Sequence, residues 1–102
     1  MKILAILAAL FLSIGYGYAQ TYEKFVEKSF DFLDKNDLVS AEESLRAAMR
    51  LEPGNPNNYA LLMNLGTIQR RQGKLEDALL SYTAALSRHP NNEAILENRA
   101  GF

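Results

Sequence analysis

The sequence predicts an all-α chain in which antiparallel helix hairpins, each a copy of the one before, stack side by side into a short solenoid. Three observations carry that reading. After residue 20, apolar and small residues recur three or four apart, the spacing that puts them on one face of a helix. The same residue types return at a long fixed interval: Ala41, Leu45, Ala48 and Pro53 each stand 37 residues before Ala78, Tyr82, Ala85 and Pro90, and self-similarity on this scale marks stacked supersecondary units. Breaks fall between the periodic runs, at Asn36-Asp37, Pro53, Pro56, Gly73-Lys74 and Pro90, where a left-handed residue or a missing N–H ends a helix.

Residues 1–19 are of another kind. Lys2 gives a positive start, residues 3–14 are apolar but for Ser13, and Gly17-Tyr18-Ala19 offers a small-x-small cleavage site before Gln20. This reads as a secretory signal, and the expected location is the periplasm or beyond the cell. The apolar run is shorter than the roughly 20 residues a bilayer span wants, so no membrane span is expected once the leader is removed. Cleavage takes away one base and no acid, moving the net charge from −1 to −2.

The mature part, residues 20–102, divides into a first copy at about 22–55, a second at about 59–92 and the start of a third from 93. The first carries Phe25, Ser29 and Phe32 on one helix and Ala41, Leu45 and Ala48 on the next; the second carries Leu62, Leu65, Gly66 and Gln69, then Leu75, Ala78, Leu79, Tyr82 and Leu86. Leu62 to Leu96 and Gly66 to Ala100 are 34 residues apart, so the period is 34 and three extra residues sit in the loop at 54–58. Four full helices and the beginning of a fifth are expected. Ser29, Gly66, Ala78 and Ala85 leave little side chain where two helices approach to about 8–10 Å, and Gly66→Leu is expected to destabilise the fold. The last helix, at 93–101, is too short to stand alone and is expected to rest on the second copy through Ile95 and Leu96. With no polar capping helix after Arg99-Ala100-Gly101-Phe102, the chain reads as a truncated product.

The period of 34, the order Leu62-x2-Leu65-Gly66, the turn Gln72-Gly73-Lys74-Leu75, Ala78-x3-Tyr82 and Pro90 together resemble the tetratricopeptide repeat. Three departures stand out. Leu62 takes the place of a large aromatic, Lys28 stands where the pattern wants Leu, and Gln69 replaces a Tyr at a normally buried contact, so its amide needs a partner or water. Asn36 replaces the turn glycine, which Asn tolerates. In the resembled family, first helices line a concave groove for a protein or peptide partner and second helices form the convex back. The resemblance places Glu23, Val26, Glu27 and Phe30 in that groove, with Met63, Asn64, Thr67, Arg70, Arg71, Glu97 and Asn98 as the candidate partner-binding set. Only Asn64 and Asn98 match a carboxylate-gripping arrangement, so a dedicated clamp for a C-terminal carboxylate is not expected.

Chemistry finds little support in the residues. The sequence has no cysteine and a single histidine, His89, in a loop before Pro90; a lone imidazole without an acidic cluster reads as a surface residue, with neither metal nor cofactor implied. Glu42-Glu43 and Glu76-Asp77 are read as first-turn acids that favour the helix dipole, and Arg70-Arg71 as last-turn bases favoured for the same reason. With 11 bases against 12 acids there is no basic excess for nucleic acid. The expected role is therefore a non-catalytic scaffold for protein–protein interaction. Two alternatives stand beside it: an N-terminal accessory segment of a longer cell-envelope enzyme or secretion component, and a structural subunit self-associating through Ile95, Leu96 and Phe102.

Overall fold

A computed structural model describes residues 21–89 and 93–101, with the side chains of Ala94 and Ile95 left aside. The expected leader, Pro90, the Ile95 side chain and Phe102 lie outside the described residues. Five helices follow one another: α1 (Tyr22–Asp34), α2 (Leu38–Leu51), α3 (Asn58–Arg71), α4 (Leu75–Arg88) and α5 (Glu93–Ala100). Among the described residues there is no strand. α1 pairs with α2 and α3 with α4 as antiparallel hairpins, α2 packs on α3, and α5 leans on α4.

The turns explain why the hairpins match. Asn36 takes φ 58° and Gly73 φ 80°, the left-handed conformation that a helix C-terminus uses to reverse the chain. In the first turn Asn36 N donates to Leu33 O at 2.9 Å and Asp37 N to Phe32 O at 2.8 Å; in the second, Gly73 N donates to Arg70 O at 3.0 Å and Lys74 N to Gln69 O at 2.8 Å. The next helix starts differently in each. Asp37 caps α2, its Oδ1 accepting from Ser40 N at 3.1 Å, a contribution of about 1 kcal/mol. Lys74 gives α4 no side-chain cap, and Glu76 and Asp77 supply first-turn negative charge instead. Glu42 and Glu43 do not play that part. α2 begins at Leu38, so they fall in its second turn, and Glu42 reaches Arg46 Nε at 3.0 Å and Lys74 Nζ at 3.4 Å.

The core lies where α1, α2 and α3 meet, and gathers Tyr22, Ala41, Leu45, Ala48, Leu61, Leu65 and Ile68. Each fully buried Leu or Ile there contributes about 1.5–3 kcal/mol over exposure. Inside the second hairpin the Tyr82 ring, fully buried, lies flat on Gly66: a Cβ at that position would meet Cδ1 and Cε1 at 2.8 Å. Gly66 therefore gives up about 1 kcal/mol of helix propensity so that α3 and the ring can touch. Ser29, in the same slot of the first hairpin, is also fully buried and turns its hydroxyl back to Val26 O at 2.6 Å.

Gln69 finds partners and stays buried. With its amide oriented by the hydrogen-bond network, Nε2 donates to Asp77 O at 3.1 Å and to Ser81 Oγ at 2.6 Å, and Oε1 accepts from Arg46 Nη2 at 3.2 Å. One side chain thus links α2, α3 and α4. The expected anchoring of α5 through Leu96 needs correction, since Leu96 is 43% exposed; an eight-residue helix spans about 12 Å and leaves much of its surface open.

Candidate functional site

Between α1 and α3 the two hairpins leave a cavity of about 430 Å³, lined from α1 by Glu23, Val26, Glu27 and Phe30 and from α3 by Ala60, Leu61 and Asn64. Its size is within the roughly 300–1,000 Å³ of binding pockets. The α1 residues lie on one face because they recur at three or four positions. The floor is apolar, and Phe30 leaves 49% of its surface open. Among the described residues the Asn64 side-chain amide has no hydrogen-bond partner, and such an amide can pair with a peptide bond.

A buried knot holds the base of this cavity. Tyr22 OH donates to Asn58 Oδ1 at 2.8 Å, and Asn58 Nδ2 donates to Glu52 O at 2.9 Å and Pro53 O at 3.3 Å. α1, the end of α2 and the start of α3 are tied through one amide. Burial, with the Glu52 and Glu23 carboxylates behind it, raises the Tyr22 phenol above its ordinary 10.0. The phenol is therefore a firm donor at neutral pH.

The seven candidate residues do not form one surface. Asn64 lines the cavity and Met63, one residue earlier on α3, is half-buried. Thr67 is occupied inside its hairpin, its hydroxyl 2.8 Å from Tyr82 OH and donating to Met63 O at 3.2 Å. Arg71 is drawn away to the first turn, where Nη2 donates to Asn36 Oδ1 at 2.8 Å. Arg70 approaches α5, with Nη1 3.8 Å from where a Cβ on Gly101 would sit. Glu97 is exposed and Asn98 half-buried on α5.

Sequence reasoning missed Tyr22, Asn55, Asn57, Ala60 and Leu61 as lining residues. The three-residue loop insertion was the available signal, but its asparagines read as turn formers. A larger depression of about 640 Å³ lies on the outer side of the first hairpin, where Lys28, Asp31, Lys35, Glu43 and Arg50 alternate in sign around Phe25 and Phe32. Those positions correspond to the face of the second hairpin that α2 covers, so this is the end surface of the stack.

Among the described residues no three His, Asp or Glu side chains are placed to hold a metal. His89 is exposed, its ring centroid 3.8 Å from that of Tyr59 with the two planes tilted at 44°. No helix among the described residues is long and apolar enough to cross a membrane.

The pattern that defines the tetratricopeptide repeat matches residues 59–92. A crystal structure of a tetratricopeptide repeat protein from Parabacteroides merdae is 74% identical and superposes with a TM-score of 0.77 over 78% of this chain. Residues 59–92 match a tetratricopeptide repeat, and the helical-repeat fold is that of a solved tetratricopeptide repeat protein. It is also 36% identical over 78 residues, 76% of its length, to the human protein O-mannosyl-transferase TMTC1. It spans 31% of the Parabacteroides chain and 8% of the human one. Tetratricopeptide repeats generally mediate protein–protein interaction and are typically non-catalytic. Helix hairpins stacked with first helices around a concave cleft are the architecture such repeats share.

Proposed function

We propose that this chain is a non-catalytic interaction module that holds an extended peptide segment of a partner protein in the cleft between α1 and α3. One observation carries the reading: an open apolar floor and the Asn64 amide, which has no side-chain hydrogen bond among the described residues, share a cavity, which supplies both a side-chain pocket and a main-chain anchor.

Panning a random peptide display library on the purified protein tests it. Peptides enriched on the wild type should lose at least tenfold in affinity on Phe30→Glu with Asn64→Ala, while the far-ultraviolet circular dichroism stays unchanged. Equal enrichment on the double variant would remove the cleft from consideration.

The leader supports export to the periplasm or the exterior, and N-terminal sequencing of the mature protein should begin at Gln20. Recovery of Met1 would overturn that. The small share of each relative that the chain spans, 31% and 8%, favours a second reading in which these repeats serve as an accessory module of a longer polypeptide. Sequencing the gene beyond Phe102 decides it.

A further inference from the structure

We propose that the α1–α3 cleft selects peptides in which an apolar side chain stands next to lysine or arginine. This rests on the peptide-binding reading above and adds the chemistry of the peptide. The cleft has two unlike parts. Its floor, formed by Val26, Phe30 and Leu61, offers an aromatic face to an aliphatic side chain. Its rim carries Glu23 and Glu27, one helical turn apart on α1, and no cation is among the lining residues.

The nearest cation on α1 is already weakly committed. Lys24 Nζ stands 3.7 Å from Glu27 Oε2, with both side chains about two-thirds exposed, at 64% and 67%. A pair so exposed contributes little and exchanges readily for an incoming ammonium or guanidinium. Arg70, the base closest along α3, is six residues past Asn64, about 9 Å along the helix, and turns toward Gly101. The field at the rim is therefore negative. An acidic peptide meets two carboxylates of its own sign, while a basic one gains from both without giving up the apolar contact.

The size of the preference follows from Coulomb's law. A unit pair about 4 Å apart in water-like surroundings is worth up to about fivefold in affinity, and with Lys24 already beside Glu27 the uncompensated carboxylate gives a gain of this order to a basic peptide and a loss of this order to an acidic one at low salt. The effect should shrink as salt brings the screening length to about 10 Å at 0.1 M and about 3 Å at 1 M.

Nuclear magnetic resonance titration of the full chain with three short synthetic peptides tests this, their cores being Lys-Leu-Lys, Gln-Leu-Gln and Glu-Leu-Glu. The Lys peptide should bind at least about fivefold more tightly than the Glu peptide, with the preference fading in 1 M salt. Glu23→Gln with Glu27→Gln should abolish the preference, so that the three peptides bind the variant alike within about twofold. If the Gln peptide perturbs the Asn64 amide signals and all three bind alike, the charge selection is overturned and the cleft reading stands. If no peptide perturbs those signals, the cleft reading falls and the selection falls with it.

Discussion

At the end of α1 the first hairpin carries Phe32, half-buried against the core; 37 residues later the second hairpin puts Gln69 in the matching slot and leaves it 2% exposed. An amide is thus more deeply buried than the phenyl ring that occupies its counterpart. Stack position accounts for the difference. α2 covers the second hairpin's slot and brings Arg46, while α4 brings Ser81 and the Asp77 carbonyl. Among the described residues no such helix lies against Phe32 in the first hairpin, and Lys28, one turn earlier, is exposed with its ammonium 5.8 Å over the Phe25 ring. A repeat slot therefore sets the geometry, and the neighbouring hairpin sets which chemistry it accepts.

The largest way to break the comparison is Gly66→Leu. The Tyr82 ring, fully buried, leaves no room at 2.8 Å, so overpacking is expected to cost about 2–3 kcal/mol and lower the melting temperature by about 10–20 °C. Gly54→Ala, with nothing within 4 Å, is the matched control and should shift it little. A change of less than about 2 °C for Gly66→Leu would mean that the hairpin tolerates a wider spacing than the ring contact implies.

A smaller loss, about 1–3 kcal/mol, is expected from Gln69→Leu, because Ser81 and the Asp77 carbonyl lose their partner inside the stack. Adding Ser81→Ala should recover part of it in urea unfolding, as expected for coupled neighbours. If the two losses simply add, the network does not join the hairpins as described.

The smallest effect sharpens a third matched pair. Tyr22 and Tyr59 occupy equivalent slots, but Tyr22 donates to Asn58 while Tyr59 makes a tilted ring contact with His89. Tyr22→Phe should cost about 1 kcal/mol at neutral pH through the lost hydrogen bond. The Tyr22 phenol titrates above its ordinary 10.0, so its share of stability is complete below pH 10 and is lost as the pH rises through the folded value. Wild-type stability should therefore fall more steeply than that of Tyr22→Phe in melts above pH 10. Parallel alkaline profiles would show that the phenol is not favoured neutral by the fold.

Much of the architecture was legible because its signals are local or periodic. Helical spacing gave the hairpins, Asn36 and Gly73 marked turns that only left-handed residues make, and the small side chain at Gly66 announced a close approach. Of the residues expected at the groove, Glu23, Val26, Glu27, Phe30 and Asn64 surround one cleft, while Thr67 and Arg71 turn to other partners. A helix-face argument states which way a residue points along its own helix, but Thr67 is claimed by Tyr82 and Arg71 by Asn36, partners on other elements.

Sequence alone determined the helix count, the reversal points and the repeat spacing, since each depends on backbone preference and on side chains within a turn or two. Only the tertiary structure decided that Gln69 is a bridge, that Asn58 ties three elements together and that Glu42 serves Lys74 and Arg46 in place of the helix dipole. The Tyr22–Asn58, Glu42–Lys74 and Gln69–Ser81 contacts join groups 12 to 36 residues apart in the chain, and their proximity exists only after the hairpins have formed, stacked and excluded water between them.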